Sequence, residues 1–219
     1  MHAPRRLVAV LVSAVAALVV LGACGSGAGD DGSHEAAGRQ WRGTVLDRPV
    51  PVPDVTLTGT DGQPYELRSR SAGKLTLLFF GYTHCPDACP LQMATIAAAL
   101  EGQSARVRTA TDVVFVTTDP ARDTPERLRT WLDGFNTRFV GLTGSPADLV
   151  AAQEAAGVPL SGAEPADDDG AYVVGHATQV LAFTPDGVAR LAYPAGIRQA
   201  DWRHDLPQLF DVPEWQVAT

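Results

Sequence analysis

Apolar and polar positions follow three rhythms along this chain. Around Thr60-Asp61-Gly62 they alternate, with Val55 and Leu57 on one side and Tyr65 and Leu67 on the other, which predicts an N-terminal hairpin. Leu75 to Tyr82 is different, a continuous apolar run containing Leu75, Leu77, Leu78, Phe79 and Phe80. Such a run marks a strand buried on both faces in the middle of a sheet. The period then lengthens. Met93, Ile96, Ala97 and Leu100 fall on one face of a helix expected from about Pro90 to Leu100.

The same alternation of element types recurs downstream. Val113 to Thr117 reads as a second buried strand, followed by a helix whose start is signalled by Thr124 as cap, Pro125 at the first helical position, and Glu126. Leu128, Trp131, Leu132 and Phe135 form its apolar stripe. Phe139 to Leu142 reads as a third strand, and Ser145-Pro146 opens a helix that ends before Gly157. Strands alternating with helices imply parallel crossovers. Gln179 to Phe183 and Val188 to Tyr193 make a hairpin across Pro185-Asp186-Gly187, and Gln199 to Phe210 a final helix. The expected fold class is α/β, with a central mixed sheet and flanking helices.

Composition narrows the function. The chain has 219 residues, enough for one core-bearing domain plus extra segments, and its 3 Cys are too few for a disulfide scaffold. With 17 basic residues against 25 acidic, and no basic run beyond Arg5-Arg6, nucleic acid is not an expected partner. Glu164 to Asp169 is an acidic stretch that reads as a solvated loop. It lacks the glycine and terminal glutamate in register that a calcium-binding EF-hand loop requires.

The chain opens with a targeting pattern. Arg5 and Arg6 precede an apolar stretch from Leu7 to Leu21, interrupted by Ser13, in the layout of a secretory leader. It falls short of the roughly 18 apolar residues of a spanning helix. Leu21-Gly22-Ala23-Cys24 resembles a bacterial lipoprotein cleavage box, which implies cutting before Cys24 and a diacylglycerol on its thiol. The expected organisation is a signal peptide over 1–23, a flexible tether over 24–50, whose Gly, Ser, Ala and Asp stretch Gly25 to Gly38 has no apolar period, and a folded domain over 51–219.

Cys85 and Cys89 remain, four apart where the buried strand turns into a helix. Ligands collect at the carboxyl ends of strands in such sheets, and a helix start offers unpaired N–H groups to a thiolate. Residues four apart on a helix have Cβ atoms about 5 to 6 Å apart, whereas a disulfide needs about 3.5 to 4.5 Å. A metal with bonds near 2.3 Å, a value taken from zinc thiolates, grips sulfurs up to roughly 4.6 Å apart with less adjustment. Metal binding and a strained, reducible disulfide are both open to the pair, and an inert structural disulfide is the plain alternative. Two thiolates suit Cu(I), and Cu(II) would add an imidazole. His34 lies in the tether and His204 among charged residues. His84 adjoins Cys85, and His176 stands in Gly175-His176-Ala177 just before a strand.

Phe80-Gly81-Tyr82-Thr83-His84-Cys85-Pro86-Asp87-Ala88-Cys89-Pro90 closely resembles the signature of the Sco/SenC family, thioredoxin-like copper proteins that help metallate the binuclear copper centre of cytochrome c oxidase. Thr118-Asp119-Pro120-Ala121-Arg122-Asp123-Thr124-Pro125-Glu126 agrees in order, as does Gly175-His176 followed by Pro185-Asp186-Gly187; the likeness runs from about Val55 to Asp205. The resemblance implies a thioredoxin-like fold and copper held by Cys85, Cys89 and His176. It also implies Asp119 as a nearby carboxylate that orients or tunes the site, although an aspartate before Pro120 equally reads as a turn cap. One position departs from the pattern. The family usually carries an acid directly before the ligand histidine, where this chain has Gly175.

The expected function is a copper chaperone, lipid-anchored on the extracytoplasmic face of the cell membrane. Its expected partner is the copper subunit of a membrane-bound cytochrome c oxidase, and it is expected to be a monomer. The alternative is an enzyme, a thiol:disulfide oxidoreductase in which Cys85 attacks and Cys89 resolves to reduce that subunit's cysteines. A peroxiredoxin-type peroxidase is disfavoured, because Leu78 and Tyr82 stand where that family has Pro and Thr or Ser. Methionine-rich copper carriers fit no better, since only Met93 follows the leader.

Overall fold

β4 (Leu75–Gly81) is buried along its whole length, and the other elements are placed by what packs on its two faces. The structure, a computed structural model, describes residues 40–164 and 172–211. Leu75, Leu77 and Phe79 point to one side, where Met93, Ile96 and Leu100 of α2 (Ala88–Glu101), Leu128 and Leu132 of α4 (Pro125–Asp133) and Trp202 of α6 (Gln199–Asp205) meet them. Leu78 and Phe80 point to the other, against Leu149 and Ala152 of α5 (Pro146–Ala155) and Leu67 of α1 (Leu67–Ser71). Period-two alternation thus builds two cores from one strand. Each fully buried Leu or Phe contributes about 1.5 to 3 kcal/mol relative to leaving it exposed.

Among the described residues the main sheet has eight strands and is mixed. β4 pairs in parallel with β5 (Thr111–Thr117), which pairs in parallel with β6 (Val140–Thr143). On its other side β4 pairs antiparallel with β9 (Val180–Phe183), which continues through the hairpin to β10 (Val188–Tyr193). β2 (Thr56–Gly59) and β3 (Pro64–Glu66) form the expected hairpin and close the β6 edge. The helix starts are as their chemistry dictates. Thr124 Oγ1 accepts the Arg127 N–H at 3.2 Å and Ser145 Oγ the Asp148 N–H at 3.2 Å, with proline in each first turn.

The structure departs from the sequence reading at five places. β1 (Thr44–Pro51) lies inside the stretch 24–50 read as tether, and it pairs antiparallel with β10, so the sheet already includes the chain from Thr44. Its residues are mostly exposed, and backbone pairing to β10 holds it in place together with Leu46 and Val50, which are partly buried against the second core. Leu67 opens α1 instead of extending the hairpin. α3 (Ala105–Ala110) is an added short helix, capped by Ser104 and anchored by Val107. A two-stranded ribbon, β7 (Gly162–Ala163) with β8 (Val174–Gly175), flanks the acidic stretch. The final helix is interrupted near Pro207, which has no N–H to continue the ladder, and a single 3₁₀ turn, Gln208–Phe210, follows α6. The leader, Cys24, His34 and the acids Asp167, Asp168 and Asp169 lie outside the described residues.

Candidate metal centre

The carboxyl end of β4 is where the chemistry gathers. Gly81 ends the strand, Tyr82 to Cys85 form a turn closed by the Cys85 N–H on the Tyr82 carbonyl at 3.2 Å, and α2 begins at Ala88. Cys85 therefore precedes the helix and Cys89 sits in its first turn, rather than both lying on helical backbone. The Asp87 side chain makes no cap bond. Instead the Cys89 N–H donates to Cys85 Sγ at 3.4 Å, which places that sulfur at the positive end of a 14-residue helix.

His176 arrives from the opposite direction. Phe79 pairs with Val180 at the start of β9, so the segment leading into β9 passes beside the end of β4. The result is a cluster in which one donor atom each from Cys85, Cys89 and His176 lie within 4.8 Å of one another. His176 Nε2 is 3.4 Å from Cys89 Sγ. On the far side of the ring Nδ1 is 2.9 Å from the Ala177 carbonyl, which can only accept, so Nδ1 donates there and Nε2 is the ring nitrogen that faces the sulfurs. Among the described residues a Cβ at Gly175 would meet the Gly162 carbonyl oxygen, at 3.7 Å.

The two thiols are inequivalent. Cys85 is half-buried and Cys89 is fully buried, and both are free. Burial pushes the Cys89 thiol well above the ordinary range, with the charges of Cys85 and Asp123 acting in the same direction. A metal ion that ligates Cys89 must displace that proton. The space for its sulfur is made by a missing side chain. A Cβ at Gly81 would lie 2.7 Å from Cys89 Sγ and 3.0 Å from the Phe115 ring.

Asp119 stands behind this cluster, not in it. One of its carboxylate oxygens accepts the Tyr172 hydroxyl at 2.8 Å and the other pairs with Arg122. The Arg122 guanidinium lies 3.6 Å over the Tyr172 ring and 5.7 Å from the centre of the Tyr82 ring, and Tyr82 meets the His176 imidazole edge-on at 5.6 Å. Asp119 thus reaches the imidazole through two aromatic contacts. His84 turns away from the sulfurs toward Thr83 and Asp123, and His204 lies against Asp205. Sequence reasoning missed Gly81, Tyr82, Arg122, Asp123 and Tyr172. All except Tyr172 lie in the quoted motifs, but their work depends on partners the motifs do not name.

A mixed sheet that delivers two thiols and an imidazole to one strand end defines a thioredoxin-like fold carrying a soft-metal donor set. The family model described as SCO1/SenC matches residues 48–210, and the chain belongs to that family. It is 32% identical over 167 residues to a "Putative copper-binding protein" of Stutzerimonas stutzeri, covering 76% of this chain and 80% of that one. It is 34% identical over 116 residues to the mitochondrial "Protein SCO1 homolog 1" of Arabidopsis thaliana, of whose length it spans only 34%. The solution structure of apo Sco1 from Thermus thermophilus superposes with a TM-score of 0.70 at 34% identity, covering 80% of this chain and 99% of that one. Bradyrhizobium japonicum ScoI, solved with copper bound, gives 0.65 at 28% identity, over 74% and 99%.

Proposed function

We propose that this chain is a membrane-tethered copper chaperone that holds one Cu(I) or Cu(II) on Cys85, Cys89 and His176 and passes it to the binuclear copper centre of a cytochrome c oxidase. The observation that carries this reading is the convergence of two sulfurs and the Nε2 that faces them within 4.8 Å, in a chain whose relatives include copper-bound proteins. The donor set fits the metal. Two thiolates satisfy soft Cu(I), and the imidazole adds the nitrogen that Cu(II) favours. The Leu21 to Cys24 box supports lipidation at Cys24, which would confine the domain to the extracytoplasmic membrane face and raise its effective concentration near a membrane target. Among the described residues no helix is long and apolar enough to cross a membrane. Mass spectrometry of the mature N-terminus is expected to find diacylglycerol on Cys24; a retained Met1 or an unmodified terminus would remove the anchor.

The inequivalence of the thiols favours a second reading alongside the first. The more exposed Cys85 thiolate attacks a partner disulfide, forming a mixed disulfide and releasing one partner thiol; Cys89 then attacks the Cys85 sulfur, breaking the mixed disulfide and releasing the second partner thiol, so that the partner is reduced by two electrons and Cys85–Cys89 is oxidised. Copper and that disulfide exclude one another, because a ligating sulfur must be a thiolate. Copper titration of the mature chain is therefore expected to give one equivalent bound when reduced and none when oxidised. Stoichiometric binding by the oxidised form, or none by the reduced form, would overturn the chaperone reading.

A further inference from the structure

Asp123 is a fully buried carboxylate outside the donor cluster, and its bonds run to the turn that carries Cys85. Oδ2 accepts the Thr83 backbone N–H at 3.0 Å and the Thr117 hydroxyl at 2.7 Å, while Oδ1 accepts the Thr83 hydroxyl at 2.6 Å. Thr83 lies two residues before Cys85, inside the Tyr82 to Cys85 turn. Thr117 is the last residue of β5, and Asp123 immediately precedes the cap of α4. One side chain thus ties together the ends of two central strands and the start of a helix.

The charge of this carboxylate is met indirectly. His84 Nδ1 lies 3.7 Å from Oδ1, and Arg127 Nε reaches the Thr83 hydroxyl at 3.2 Å, not the carboxylate itself. The Thr83 oxygen accepts from Arg127 and donates to Asp123, so it relays between a cation and a buried anion. Buried carboxylates bonded in this way are rigid, because breaking any one bond leaves a desolvated group without a partner. A turn pinned at both the amide and the hydroxyl of one residue has little freedom to move the sulfur two positions on.

We propose that Asp123 is a positioning residue for the metal centre, holding the Thr83–Cys85 turn through its hydrogen bonds so that the Cys85 sulfur faces Cys89 and His176. This rests on the copper reading for its function but not for its geometry. Asp123→Asn can keep the amide oxygen in the Oδ2 place, with the nitrogen donating to a reoriented Thr83 hydroxyl. It removes the charge and retains the pins. Asp123→Ala removes both, and Thr83→Val removes the hydroxyl pins while sparing the backbone bond.

The test is made on the mature chain with two readouts. In the metal-free reduced protein, hydrogen exchange at the Cys85 amide is expected to accelerate about tenfold or more in Asp123→Ala relative to the Leu78 amide of β4, less in Thr83→Val, and little in Asp123→Asn. In the copper-titrated protein, Asp123→Ala is expected to weaken Cu(II) by about tenfold or more and to change its electron paramagnetic resonance signal, with Asp123→Asn close to the unsubstituted chain. If Asp123→Ala does not fold, Thr83→Val against Asp123→Asn carries the same comparison. Asp123→Asn matching Asp123→Ala, or Cys85 exchange unmoved relative to Leu78, overturns the proposal. An unsubstituted chain that binds no copper while the exchange pattern holds would overturn the copper reading and leave the positioning role standing.

Discussion

Cys89→Ser is expected to lower Cu(I) affinity by more than about 100-fold, beyond what changes to a ligand's hydrogen-bond partners produce. The buried sulfur sits 3.4 Å from the imidazole in a seat that Gly81 leaves empty, and a serine hydroxyl there is a hard, weakly acidic donor that does not replace a thiolate for Cu(I). Cys85→Ser is expected to do the same. His176→Ala should separate the two oxidation states. Two thiolates still satisfy Cu(I), so its affinity should stay within about tenfold, whereas Cu(II) binding should be lost. Competition against a chromophoric Cu(I) chelator, with paramagnetic resonance for Cu(II), reads both. Loss of Cu(II) in His84→Ala but not in His176→Ala would assign the wrong imidazole, although His84 faces Thr83 and Asp123 in the structure.

Phe79→Ala is expected to destabilise the domain by about 3 to 5 kcal/mol, the range for deleting a fully buried aromatic ring. The ring meets Phe115 edge-on at 5.8 Å and the His176 imidazole at 5.9 Å, so the same cavity opens in the core and beside the metal centre. Urea unfolding should show a lower midpoint with an unchanged slope. Phe79→Leu, which refills much of the volume, should cost clearly less. A loss below about 1 kcal/mol in Phe79→Ala would mean that neighbouring side chains collapse into the space and that the ring does not support His176.

How much of this was legible beforehand depends on how local the determining interaction is. The unbroken run in β4, the stripe Met93, Ile96, Ala97, Leu100 and the caps at Thr124 and Ser145 express their physics within a few residues, and each stands where the pattern puts it. β1 was not legible because in this mostly exposed edge strand Leu46 and Val50 alone turn partly inward, too few to make a period, and the backbone bonds to β10 leave no trace in the sequence. α3 is too short for a stripe, with Val107 its one buried residue. The same division runs through the site. The cysteine pair declares itself by spacing and place, whereas His176 was singled out by resemblance, and Asp123 acts on a residue 40 positions away.

Cys89 and His176 are 87 positions apart and meet because β4 has β9 as its antiparallel neighbour. An ion shared between them is a clasp across a long loop of chain, so cargo and fold become partners in one equilibrium. At free metal 100 times the dissociation constant, occupancy adds about 2.7 kcal/mol to the stability of the native state. That increment is the ligand-bond free energy itself seen from the folding side, and release of the ion gives it up. The metal-free form opens more often, and where proteolysis acts on the open form it is the shorter-lived of the two.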